Sequence, residues 1–193
     1  MIKRNHITLM YNLKLTERFL RALYKTKLGD ITKWNRGYVM LHFEEKVELI
    51  SVTNDNLDSL SAFLNLGRDY LSDLPPDERE RFLQSILARQ VEPDRWLLLL
   101  RHGNEYIGFT HMKIDKDERV EWGFILEFYI VPNKRGQGWG RRLFNLIVKI
   151  LQARCVKDIW LLTTPEVEQF WHSLGFKETG EMQNSQKVMV ISI

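Results

Sequence analysis

The 193 residues, 44% hydrophobic and 27% charged, suffice for one substantial core and exclude a chain too polar to fold. A single cysteine, Cys155, excludes a disulfide framework and a cysteine-based zinc site, and the five scattered histidines lack metal-ligand spacing, so no metal is expected. The net charge of +3 is unevenly divided: residues 1–36 carry nine Lys/Arg against Glu17 and Asp30, and the remainder is net acidic.

Residues 16–28, "TERFLRALYKTKL", place Phe19, Leu20, Leu23, Tyr24 and Leu28 on one side and Arg18, Arg21 and Lys25 on another. This predicts a basic amphipathic helix stopped at Gly29. "GYVMLHFEEKVELISV" predicts one or two strands, after which Thr53 or Asn54 caps a helix to about Tyr70 with Leu57, Leu60 and Leu64 inward. "PPDERERFLQSILARQ" predicts a second helix, with Asp77 and Glu78 at its N-terminal dipole and Phe82, Leu83, Ile86 and Leu87 on its apolar side. "RWLLLLRHGNEYIGFTHMKI" reads as a hairpin turning at 102–105, and "FILEFYIVP" as the next antiparallel strand. A helix follows with Leu143, Phe144, Ile147, Ile150 and Leu151 at helical period, then a strand at "DIWLLT", a helix at "PEVEQFWHSLG" and a last strand at "KVMVISI".

The order β-α-α-β-β-β-α-β-α-β predicts an α/β domain over residues 47–193, preceded by an N-terminal extension over 1–46 that holds the basic helix. The longest apolar run, "WLLLL", is too short to span a bilayer, so a soluble, cytoplasmic protein without membrane contact is expected. The basic charge of residues 1–36 admits nucleic acid or an acidic surface as a partner. Against that, a basic amphipathic helix ordinarily packs its apolar face on its own domain or on a dimer partner, which leaves a homodimer open.

"NKRGQGWGRR", residues 133–142, joins the "FILEFYIVP" strand to the next helix. Glycine-rich turns at such junctions hold phosphate, because the first N–H groups of a helix have no acceptor of their own. A Walker A loop would need Lys and then Ser or Thr after the second glycine, where Trp139, Gly140 and Arg141 stand. A dinucleotide fingerprint would be G-x-G-x-x-G, whereas Gly136, Gly138 and Gly140 are spaced G-x-G-x-G.

"FYIVPNKRGQGWGRRLF" resembles the acyl-CoA-binding segment of the GNAT superfamily of N-acetyltransferases, written as Arg or Gln, two residues, Gly, one residue, then Gly or Ala. Arg135, Gly138 and Gly140 occupy those positions, and "FWHSLGF" resembles the family's F-Y-x-x-x-G-F ending. The resemblance runs from about Val47 to the end. It implies a mostly antiparallel central sheet flanked by helices, and acetyl-CoA as cosubstrate. The segment Arg135, Gly136, Gln137, Gly138, Trp139, Gly140 and Arg141 would receive the pyrophosphate, with the glycines as clearance for close backbone approach. By the same resemblance, the strand over Phe128, Tyr129, Ile130 and Val131 would splay from "IWLLT" and offer its backbone to the pantetheine arm.

The implied reaction is acetylation of a primary amine by direct attack in a ternary complex, which makes Cys155 a packed or half-exposed residue and no nucleophile. An ammonium ion must first lose a proton. Glu127, a carboxylate interrupting an apolar strand, is the expected base, with an outward-facing or salt-bridged Glu as the plain alternative and Glu121, Tyr129 and His111 behind it. The family's usual acid, a Tyr, is replaced by Trp171, whose indole N–H is no acid; His172 stands beside it as a substitute, although one residue along a helix turns about 100° away. Thr164 takes the place of an Asn that touches the cofactor in many relatives. The acceptor would be chosen by residues 54–94, among them Phe63, Asp69, Tyr70 and Asp73. A non-catalytic acyl-CoA-binding module, or an acceptor linked to nucleic acid, are the alternatives.

Overall fold

The computed structural model describes residues 7–11, 30–35, 38–43 and 46–193. The chain divides into two units, Met1–Lys46 and Val47–Ile193. In the first, β1 (Ile7–Tyr11), β2 (Asp30–Asn35) and β3 (Tyr38–Phe43) form an antiparallel sheet in the order β1-β3-β2. The helix expected over 16–28 lies outside the described residues.

The second unit begins with β4 (Val47–Ser51), α1 (Leu57–Tyr70) and α2 (Pro76–Ala88), followed by β5 (Arg95–His102), β6 (Glu105–Ile114) and β7 (Gly123–Ile130). Then come α3 (Trp139–Gln152), β8 (Asp158–Thr163), α4 (Pro165–Leu174), β9 (Lys177–Gln183) and β10 (Gln186–Ser192). The seven strands lie in the order β4-β5-β6-β7-β8-β10-β9, and β7–β8 is the parallel pair among antiparallel ones.

The unbroken "WLLLL" run has a simple cause: β5 is covered on both faces. Leu98 and Leu100 enter a core with α3 and α4, including Leu143, Ile147 and Trp171, while Leu97 and Leu99 enter another with Phe63 of α1 and Leu83 and Ile86 of α2. A strand buried on both sides has no polar face to alternate with. The sheet is thus a middle layer, with α1 and α2 on one side and α3 and α4 on the other.

Three features differ from the sequence expectation. The cap of α1 is Asn56, whose side chain accepts from Ser59 N at 3.1 Å, and not Thr53 or Asn54. The buried stripe of α1 runs through Ser59, Phe63 and Gly67, and Leu57 is 75% exposed. Small residues face inward because α2 approaches closely: a Cβ on Gly67 would meet Leu83 Cδ2 at 2.5 Å. Strand β9 has no counterpart in the expected order; nearly all of its residues are exposed, so burial left no apolar mark on it.

Gly108 sits close against β7, since an added Cβ would meet the Tyr129 carbonyl at 2.3 Å. A backbone oxygen in a ladder cannot swing aside as a side chain can. Gly108→Ala is therefore expected to destabilise the fold by about 2–3 kcal/mol, read as a lowered urea midpoint.

Candidate active site

The glycine turn leaves β7 through Pro132–Lys134 and enters α3 at Trp139, so the last residues of the quoted segment already form the first helical turn. Gly136 (φ +71) and Gly138 (φ +86) occupy the left-handed region, and an added Cβ at either would meet nothing within 4 Å. Their glycine identity is thus set by backbone conformation. Gly140 differs: a Cβ there would meet the Phe170 ring at 2.9 Å, so this glycine lets α3 pack on α4. The first helical bond runs from Arg142 N to Gly138 O at 3.0 Å, which leaves the N–H groups of Trp139, Gly140 and Arg141 without a helical acceptor. Arg135 Nε donates to Ile130 O at 2.8 Å with its guanidinium over the Tyr129 ring, and Arg141 Nη2 donates to Ser173 O at 2.7 Å. Both arginines are held in place while keeping their charge at the turn. Trp139 is buried against the core, and Gln137 Nε2 donates to Asn133 O at 2.8 Å.

The turn opens onto a split in the sheet. β7 and β8 pair at Gly123–Ile159, Phe124–Trp160 and Ile125–Leu161, with no pair beyond Ile125. At the same point the register of β6 against β7 slips: Met112 faces Ile125 and His111 faces Glu127, so Leu126 is an extra residue in β7. Such a bulge bends the strand and reverses which residues face which side. Ile125 points into the α3–α4 core; two residues on, Glu127 points to the α1–α2 face instead. Past the bulge, Phe128 lies against Phe170 and Trp171, and Tyr129 against Phe109 and Tyr70. Val131 N donates to Ile107 O at 3.0 Å, so by the alternation of a strand the main-chain groups of residues 128 and 130 are on the side that β8 has left. Arg135 takes the Ile130 carbonyl there.

On the α1–α2 face, Tyr70 Oη donates to Glu127 Oε2 at 2.6 Å. Burial pushes the Glu127 carboxyl up to about 7, against the opposing pull of that hydrogen bond. Tyr70 is raised far above its ordinary range, first by burial and then by the Glu127 charge. Tyr129 Oη donates to Asp69, and burial together with that bond pushes Tyr129 up to about 12, so it is no base. Opposite Glu127, buried His111 receives at Nε2 a bond from Arg95 Nη1 of 2.9 Å; because arginine only donates, the ring proton sits on Nδ1. Burial and Arg95 push His111 down to about 3, which keeps it neutral and removes it as a base. Glu121 is exposed at φ +69 in the β6–β7 connection, outside the site. The Tyr70 contact, absent from the sequence reading, joins residues 57 positions apart; only the interrupting carboxylate hinted that a partner existed. Of the other residues expected to choose the acceptor, Phe63 is fully buried and Asp73 exposed.

Trp171 is 6% exposed, its ring packed between Phe128 and Phe176. His172 turns away from it: Nδ1 lies 3.1 Å from Phe176 O and Nε2 3.4 Å from both Glu168 and Glu178. Glu178 ties it to β9, and the structure does not bring it together with Glu127. Glu168, His172 and Glu178 lie close enough to share a metal ion, but Lys187 Nζ already stands 2.9 Å from Glu168 and 3.2 Å from Glu178 as their cation. Thr164 is the extended residue before α4, where its hydroxyl holds the Glu166 carboxyl below its usual range. Cys155 is exposed at φ +62, past α3, and not packed. Among the described residues, no helix is long and apolar enough to cross a membrane.

Known proteins share this fold. A Gibberella zeae protein whose name places it among acetyltransferases is 28% identical over 90 residues, which are 46% of this chain and 49% of the relative, so the match spans about half of that protein. The PaiA N-acetyltransferase of Thermoplasma acidophilum, solved in complex with coenzyme A, superposes with a TM-score of 0.61 at 17% identity, covering 77% of this chain and 99% of that one. An acetyltransferase of Thermus thermophilus superposes with a TM-score of 0.62 at 22% identity, covering 78% and 99%. These two likenesses are of fold. The model of the acetyltransferase (GNAT) family matches residues 60–176, from within α1 through the glycine turn to the end of α4, and the chain therefore belongs to that family.

Proposed function

We propose that the protein transfers the acetyl group of acetyl-CoA to a primary amine by direct attack within a ternary complex. The observation that carries this reading is the coincidence at one split: free helix-start N–H groups on the α3 side, and a buried carboxylate raised to about 7 on the other. The PaiA enzyme of similar fold binds coenzyme A. Here the N–H groups of residues 139–141, with the nest formed by Gly136 and Gly138, would hold the pyrophosphate. The main chain at 128 and 130 would receive the pantetheine amides, with Phe128 and Trp171 as its apolar wall.

Acetyl-CoA supplies the activated thioester. Glu127 receives the proton of the incoming ammonium, and a carboxyl titrating near 7 is matched to that task at neutral pH. Proximity supplies much of the rate, since two reactants held in line need no covalent enzyme intermediate. Trp171 gives the departing thiolate no proton, which favours a second reading as a non-catalytic acyl-CoA-binding module.

Isothermal titration with acetyl-CoA, with dephospho-CoA and NAD as controls, tests the binding half. Saturable binding of the coenzyme A thioester without NAD binding is expected; a folded protein that binds no acetyl-CoA would remove the assignment. Thiol release with spermidine, a lysine-containing peptide and tyramine then separates enzyme from binding module. Acetylation of none of them above the buffer rate supports the module.

A further inference from the structure

We propose that Tyr70 is a positioning residue for Glu127: its hydroxyl fixes one carboxylate oxygen and holds the other ready to take a proton from the acceptor amine. The proposal rests on Glu127 being the base, but its central claim concerns the carboxyl alone.

Tyr70 is at the last turn of α1, and its ring is held edge-on to Phe109 at 5.6 Å and tilted on Tyr129 at 5.5 Å. These rings fix the hydroxyl before any substrate arrives. The 2.6 Å bond engages Glu127 Oε2 and leaves Oε1 with no partner among the described residues. A carboxylate so held presents a single oxygen along a single line, which restricts the approach of the ammonium.

The bond also chooses a protonation state. A hydroxyl that donates to a carboxylate stabilises the charged form and opposes the effect of burial. The groups facing Glu127 leave this task to Tyr70. From β6, His111 faces it in the neutral state, its Nε2 occupied by Arg95 of β5, which also pairs with Glu92 at 2.7 Å. From β7, the Tyr129 hydroxyl donates its hydrogen bond to Asp69 of α1, and Arg135 lies over the Tyr129 ring. No cation pairs with the Glu127 carboxylate among the described residues. Without the Tyr70 hydroxyl, the carboxyl would be mostly protonated at neutral pH, and a smaller share of molecules would hold the form that accepts a proton.

The test is a pH titration of the side-chain carboxyl carbon by NMR in protein labelled with 13C-glutamate, the Glu127 signal being assigned by its absence in Glu127→Gln. Tyr70→Phe keeps the ring and removes only the hydroxyl; Tyr70→Met is the second variant should the first fold poorly. The midpoint is expected near 7 in the wild type and about one unit higher in the variant, a tenfold change in proton affinity. An unmoved or lowered midpoint in a folded variant overturns the proposal. Thiol release by the same proteins reports on the base separately. If the midpoint moves as expected while Glu127→Gln turns over as fast as wild type, the positioning of the carboxyl stands and its role as base falls.

Discussion

Glu127→Gln is expected to lower kcat/KM for acetyl transfer by about 10²–10⁴-fold, the usual contribution of a positioned general base, while leaving acetyl-CoA affinity unchanged. Wild-type kcat/KM should rise with pH through about 7 as the buried carboxyl ionises, and the variant should lose that limb. Stability should respond in the opposite direction. Burial raises the folded carboxyl from 4.5 to about 7, so the folded state binds its proton more tightly than the unfolded chain does. The stability linked to that proton is complete below pH 4.5 and is lost as pH rises through about 7. Glutamine never ionises and still accepts from Tyr70. The variant should therefore escape a loss of about 3 kcal/mol over that window, visible in urea midpoints measured at acid and mildly alkaline pH. A dead variant with wild-type stability at every pH would mean that Glu127 is not the buried, raised carboxyl described here.

Gly138→Glu is expected to weaken acetyl-CoA binding by about 100-fold or more, as an N–H nest loses its geometry and gains a negative charge beside the proposed diphosphate site. The backbone adds a separate cost, since a non-glycine residue at φ +86 is strained by about 1 kcal/mol. Gly180→Glu separates the two effects. Gly180 has φ +84 and open space around it, but it lies in β9 at the sheet edge, so its variant carries the same strain and the same charge without touching the turn. Equal loss of stability with unequal loss of acetyl-CoA affinity, measured by thermal melting and titration calorimetry, is the expected outcome. Equal loss of affinity in both would mean that the turn binds nothing directly.

What could be read from the sequence was local. Turn chemistry at Gly136 and Gly138, the helical period of Leu143, Ile147 and Leu151, and the double-sided burial of Leu97 to Leu100 all leave their mark within a few residues. The mostly antiparallel sheet flanked by helices followed from the family resemblance; the parallel direction of the β7–β8 pair was not read in advance. What stayed hidden was set by distance or by one-residue detail. The Tyr70–Glu127 bond depends on where α1 ends above the sheet. His111 is neutral because it is buried and because Arg95, on the neighbouring strand, stands beside it with its charge. The role of Gly140 belongs to Phe170, 30 residues later, and looks in sequence like that of its two neighbouring glycines. β9 carries too little buried surface to show a pattern, and Asn56 outcompetes Thr53 and Asn54 by position alone.

The extra residue at Leu126 has a wider effect than turning one side chain. Successive residues of any strand serve two rooms, and the bulge decides which room each later residue serves: Phe128 furnishes one, Glu127 and Tyr129 the other, and the sheet is the wall between them. Where β8 departs, that wall has a window, and the two reactants of the proposed transfer would meet through it. Removing Leu126 would take out the extra residue yet keep Glu127 across from His111, so each side chain would stay in its room while the strand lost the bend that the bulge imposes.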